Sequence, residues 1–139
     1  ILFADLCQFT KTTTRLRSVK MSRVLNEYLS LMNDIIYKHE GTIDKFIGDA
    51  IMVIFGAPTE MVSSEQVQRA TQCAIGMQRR LDELNEGWTE AGIPKLQMRI
   101  GLHHGAVVVK VCVVLSSMMI FLYASWISLS NDVPGSVSS

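Results

Sequence analysis

Across its 139 residues this chain has no net charge: thirteen basic residues are matched by thirteen acidic ones. That balance leaves no electrostatic footprint for nucleic acid. Cysteine is scarce, with Cys7, Cys73 and Cys112 far apart and no Cys-x-x-Cys pair. Neither a disulfide framework nor a zinc site fits such spacing, and a reducing, cytoplasmic setting is the default expectation. No internal repeat runs along the chain. An initiator methionine and a signal peptide are also missing: the sequence opens at Ile1, inside an apolar run, and reads as a piece of something longer.

Charge is nearly absent from one end. Residues 1–109 carry twelve acidic and twelve basic side chains, whereas residues 110–139 carry only Lys110 and Asp132, with eight serines among thirty positions. From Val111 to Leu129 nineteen residues pass without a charge. That is close to the ~20 residues a helix needs to span a bilayer, so membrane contact through 111–129 is one expectation. The tail, 132–139, reads as disordered. At 48% hydrophobic and 19% charged, the whole has the composition of a globular chain. The expected division is one domain over 1–109, an apolar segment over 110–131 and the tail.

Periodicity sets the elements of that domain. Ile1-Leu2-Phe3-Ala4 is a short apolar run, as of a buried strand. Met21, Val24, Leu25, Tyr28, Met32, Ile35, Ile36 and His39 recur at steps of three and four, which predicts a helix over roughly 19–39 stopped by Gly41. Two apolar runs, 42–47 and 50–55, flank Gly48-Asp49 and predict a hairpin. Ser63 and Gln66 suggest a capping box for a second long helix ending before Gly87. Leu96, Met98, Ile100 and Leu102 alternate with polar or small residues, and 106–109 reads as a further strand. The order β, α, β, β, α, β is that of an α+β, ferredoxin-like domain with its helices on one face of the sheet.

Two aspartates stand where apolar runs break off. Asp5 follows the first run, and Asp49 sits in the hairpin turn. Taken singly, each is an ordinary place for aspartate, as a helix cap or a turn residue. If the first strand lies beside the hairpin, however, both carboxylates leave the same edge of one sheet. Hard divalent cations that also bind phosphates take one or two protein carboxylates, so the pair suits Mg²⁺ carrying a triphosphate. The adjacent His103 and His104 are read as strand-end residues, because neighbours on a strand face opposite sides and do not easily reach one ion.

The surrounding segments carry a resemblance. Phe3-Ala4-Asp5-Leu6-Cys7-Gln8-Phe9-Thr10, the fifteen positions from Asp44 to Pro58, and Met98-Arg99-Ile100-Gly101-Leu102-His103-His104-Gly105 resemble, in order and spacing, the catalytic domain of class III adenylate/guanylate cyclases, in particular bacterial adenylate cyclases. The resemblance runs from residue 1 to about 109. It implies that Asp5 and Asp49, with the Leu6 carbonyl, hold two Mg²⁺ or Mn²⁺ ions, and that Asp5 and Asp49 are the catalytic residues. It further implies that Phe9 and Thr10 offer backbone N–H groups to phosphates, that Gly48 lies in the substrate-binding turn, and that Lys45 touches the purine. Lysine at that position goes with adenine, because an ammonium donates to adenine N1 but meets the protonated N1 of guanine. The expected activity is conversion of ATP to 3′,5′-cyclic AMP and pyrophosphate in a homodimer or heterodimer of cyclase domains.

After Val109 the pattern departs. The family continues through a Gly-Asn-Ile-Gly type turn, a second base-selecting Asp or Thr, and a helix bearing an Asn for the ribose and an Arg for the transition state. Here Lys110 stands where glycine is expected and the apolar run follows. Residues after about 109 therefore read as a truncated or out-of-frame continuation, and the chain alone is expected to be inactive. An inactive partner that binds nucleotide or another cyclase half is the competing expectation, and a small membrane-anchored protein is another. A diguanylate-cyclase-like domain ranks low, because its Gly-Gly-Asp/Glu-Glu-Phe turn is replaced by Ile47-Gly48-Asp49-Ala50.

Overall fold

The structure, a computed structural model, describes residues 1–7, 9, 11, 18–106, 108–113 and 120–125. It divides into two compact units, Ile1–Gly105 and Ala106–Ser139. In the first, β1 (Leu2–Cys7) is followed by α1 (Ser18–Lys38), β2 (Thr42–Ile47), β3 (Ala50–Ile54), α2 (Ser63–Glu90) and β4 (Gln97–Leu102). The strands form one sheet in the order β2-β3-β1-β4, with every neighbouring pair antiparallel. Hence β1 and β2 run parallel with β3 between them, and β3 and β4 run parallel with β1 between them. These are two interlocked split βαβ units, the expected α+β, ferredoxin-like arrangement.

Alternation decides which face of the sheet is covered. Leu2, Ala4 and Leu6 of β1 are buried with Ile51 and Val53 of β3 and Met98 of β4. Against them pack Val24, Tyr28, Met32 and Ile36 of α1 and Ala70, Cys73, Met77, Leu81 and Trp88 of α2, each set at helical spacing. Both helices therefore lie on one face. The residues between, Phe3, Asp5 and Cys7 on β1, point to the other, open face.

Three local expectations are corrected. First, α1 is not stopped by a left-handed glycine: Glu40 takes the positive φ of 57°. The Gly41 N–H bonds to the Ile36 carbonyl at 2.9 Å and the Glu40 N–H to the Tyr37 carbonyl at 3.0 Å, a Schellman end. Gly41 is glycine for lack of space, since a Cβ there would lie 2.8 Å from Val53 Cγ1. Second, no capping box forms. Val62 is the N-cap without a side-chain bond, and the Gln66 amide donates instead to the Met61 carbonyl at 2.8 Å. Third, α2 runs past Gly87 to Glu90, because Trp88 is still buried and its Nε1 donates to Glu27 Oε2 at 3.0 Å. Gly92, at φ 69°, then ends it.

In the second unit β5 (Val108–Val113) and β6 (Ile120–Ser125) pair antiparallel, from Val108 opposite Ser125 to Val113 opposite Ile120. The strand expected over 106–109 is thus found from Val108 onward. Where 111–129 is described it is strand, and no helix among the described residues is long and apolar enough to cross a membrane. The tail, 132–139, lies outside the described residues.

Candidate functional site

The hairpin and the sheet order bring the two aspartates together. Ile47 pairs with Ala50, leaving Gly48 and Asp49 as a two-residue turn. Gly48 has φ 64° and Asp49 does not share the positive value, as in a turn that takes glycine at its first central position. A Cβ at Gly48 would meet no heavy atom within 4 Å, so the turn is open. Because β3 lies beside β1, with Ala4 opposite Ile51, one further step of the register sets Asp5 beside Ala50 and next to the Asp49 turn. The charges of both aspartates reach Tyr28, the buried α1 tyrosine whose hydroxyl donates to Met98 Sδ at 3.4 Å. Burial first, then Asp49, then Asp5, push the ionisation of that hydroxyl well above the ordinary tyrosine range.

Asp5 already has a cation. It lies opposite Arg99 on β4, and Arg99 Nη2 donates to its Oδ2 at 2.5 Å. The Arg99 side chain is 73% exposed, so this counter-ion is not locked in place. The hydrogen bond to Asp5 raises the guanidinium's own pKa. Nothing in the sequence singled out Arg99 as a site residue, because its pairing with Asp5 follows only from the strand register. Two hard carboxylates that attract a cation, with a turn open beside them, fit a divalent ion whose remaining ligands come from phosphate and water. Among the described residues no group of three or more His, Cys, Asp and Glu side chains forms an all-protein metal cage.

Lys45 shares the open face. It lies opposite Met52, and Met52 opposite Phe3, so the three stand in one cross-strand row. Two strand spacings and two residues along separate Lys45 from Asp5, about 12 Å at the backbone. This geometry depends on an irregularity. Ile43 pairs with Val53 on the helix-covered face, and the register then shifts so that Lys45 pairs with Met52 on the open one. In an unbroken strand, residues two apart face the same side, so the bulge at Asp44 is what turns Lys45 outward. The Asp44 side chain is 0% exposed, and Lys45 Nζ stands 3.1 Å from its Oδ2. The ammonium is at ion-pair distance, and neither Asp44 oxygen has a hydrogen-bond partner among the described residues.

The remaining expected site residues divide. Leu6 buries its side chain in the core and pairs with Met98, which leaves only its backbone for any ligand role. The Phe9 side chain also joins the core. Thr10 lies outside the described residues. His103 and His104 follow the end of β4, exposed, with the Ile1 ammonium donating to the His103 carbonyl at 2.8 Å.

Comparison with known proteins agrees with this arrangement. A family model described as "Adenylate and Guanylate cyclase catalytic domain" matches residues 1–127, beyond the point where the motif words stop. The chain is 35% identical to an adenylate cyclase of Anabaena cylindrica over 112 residues, covering 78% of this chain and 21% of that enzyme. It superposes on the adenylyl cyclase CyaB from P. aeruginosa with a TM-score of 0.83 at 30% identity, covering 90% of this chain and 63% of the other. On the guanylyl cyclase Cya2 the TM-score is 0.81 at 38% identity, covering 90% of this chain and 61% of the other.

Proposed function

The chain belongs to the adenylate and guanylate cyclase catalytic domain family, and from that premise we propose that it is the metal- and base-binding half of an adenylate cyclase site, acting on ATP. In this reaction the ribose 3′-oxygen attacks the α-phosphorus and loses its proton. The bond from that phosphorus to the oxygen bridging to the β-phosphate breaks, and cyclic AMP and pyrophosphate form. The observation that carries the reading is the convergence of Asp5 and Asp49 at one end of adjacent strands, with Lys45 on the same sheet's open face.

Asp5, Asp49 and the Leu6 carbonyl are the groups that would hold two Mg²⁺ or Mn²⁺ ions, which when bound supply positive charge to the triphosphate and ease loss of the hydroxyl proton. The two carboxylates fix where that charge sits. The Gly48 turn leaves room for phosphate, and Lys45 donates to adenine N1, which favours ATP over GTP. The open face is the surface for a second cyclase domain, identical or not. The absence of the expected Asn and Arg after Val109 supports a second reading, a partner that binds nucleotide or another cyclase half without catalysing by itself.

The test is Mn²⁺-dependent binding of α,β-methylene-ATP to the 139-residue chain, with the GTP analogue as competitor. Binding that is selective for the adenine nucleotide and lost in both Asp5→Ala and Asp49→Ala is expected. A folded chain without metal-dependent binding would overturn the reading.

A further inference from the structure

A carboxylate with no exposure and no hydrogen bond is a cost that folding alone does not reward, since replacing such a group by an uncharged one of similar size is often neutral or stabilising. Asp44 is such a group, with the Lys45 ammonium standing 3.1 Å from it. It is also the residue at the bulge, and the bulge is what brings Lys45 to the open face. A buried charge and a register irregularity at the same residue, both acting on one lysine, suggest a role for Asp44 in the site.

We infer that Asp44 is a positioning residue for base selection: its buried carboxylate holds the Lys45 ammonium in a fixed place on the open face, so that Lys45 meets the adenine ring already oriented. The inference rests on the reading of Lys45 as the purine contact. Lysine carries its charge on a flexible stem, and the entropy lost in fixing that stem would otherwise be taken from the binding of the base. Asp44 fixes it before the nucleotide arrives. Asp44 itself touches no substrate.

The experiment compares the 139-residue chain with its Asp44→Asn, Lys45→Met and doubly substituted forms. Each is titrated with Mn²⁺ alone, with Mn²⁺ and α,β-methylene-ATP, and with the matching GTP analogue, and melting temperatures are recorded. Asp44→Asn is expected to melt at or above the parent temperature, to bind Mn²⁺ alone unchanged, and to bind the ATP analogue about tenfold more weakly, the scale of one misplaced charged hydrogen bond. Binding of the GTP analogue should not change, and Asp44→Asn should add nothing once Lys45 is methionine. An unchanged ATP-to-GTP ratio in Asp44→Asn overturns the inference, as does a parallel loss of all three ligands with a lowered melting temperature. If Asp44→Asn does not fold, Asp44→Ser is judged by the same ratio, and failure of both to fold makes Asp44 structural and also overturns it. If Lys45→Met keeps the preference for ATP, the base-contact reading itself falls; if Lys45→Met loses the preference and Asp44→Asn keeps it, only the role of Asp44 falls.

Discussion

Arg99 and Asp5 face each other across β4 and β1, one largely exposed and the other partly covered. An ion pair this open to water contributes little to folding, yet it places a guanidinium where a divalent ion would bind. Arg99→Ala is therefore expected to leave the melting temperature nearly unchanged and to tighten Mn²⁺ binding about threefold, the scale of a weak exposed pair. The gain should shrink in high salt, where the pair is already screened. Weaker Mn²⁺ binding in that variant would mean that Arg99 orients Asp5 and does not compete for it. Cys73 behaves differently, because burial alone raises its thiol to a pKa of about 11. As pH rises past the ordinary thiol range the unfolded chain loses this proton first, so the stabilisation is complete below about 9 and is lost as pH approaches about 11. The loss should reach roughly 2–3 kcal/mol. Tyr28, held up in the same direction, extends the decline to higher pH. Denaturant titrations at pH 8, 9.5 and 11 check this, with a flatter profile expected for Cys73→Ala.

At the level of elements, helix ends and their anchors separate what the sequence made plain from what it hid. The periodic faces of α1 and α2 and the Gly48-Asp49 turn were legible because they depend on neighbours within four residues. The chain end of α1 was misread because glycine there answers a crowding from Val53 on β3, a neighbour across the fold that no helix-end pattern contains. Glu40 carries the left-handed conformation in its place, so Glu40→Gly is expected to stabilise by about 1 kcal/mol despite the loss of the exposed Arg69 pair. Gly41→Ala should cost about 1–3 kcal/mol through contact with Val53 and Ile36. Equal effects from the two variants would contradict this assignment. Asn85 was equally hidden, a polar residue on the buried face of α2. Its Nδ2 donates to the Leu96 carbonyl and its Oδ1 accepts from the Leu96 N–H, both at 2.8 Å, which fastens α2 to the segment leading into β4. Asn85→Ala strands both backbone groups and should cost about 2–4 kcal/mol in denaturant unfolding.

For the whole molecule, the order of elements pointed to a ferredoxin-like sheet, and the meeting of Asp5 and Asp49 was conditional on the first strand lying beside the hairpin, which the order β2-β3-β1-β4 provides. The outward aim of Lys45 and the Arg99 pairing did not, since each depends on a register that only the folded sheet sets. The open face that results carries Asp5, Lys45 and the part-exposed Phe3 and Ile47, charged groups beside apolar ones, as suits a surface covered by a second domain. Residues 110–139 supply no Asn and Arg of the expected pattern, so on the proposed reading two copies of these 139 residues bring two metal-binding halves and no transition-state half. The 139-residue chain with Mn²⁺ and ATP is therefore expected to make no measurable cyclic AMP. Mixed with a cyclase domain that keeps its Asn and Arg but has lost its own metal aspartates, it should restore turnover by about 10³-fold or more, the scale of a transition-state arginine. Asp5→Ala in this chain should abolish the restoration. Cyclic AMP from the lone chain would falsify the division into halves, and a mixture that associates yet stays silent would leave the chain as a binding partner alone.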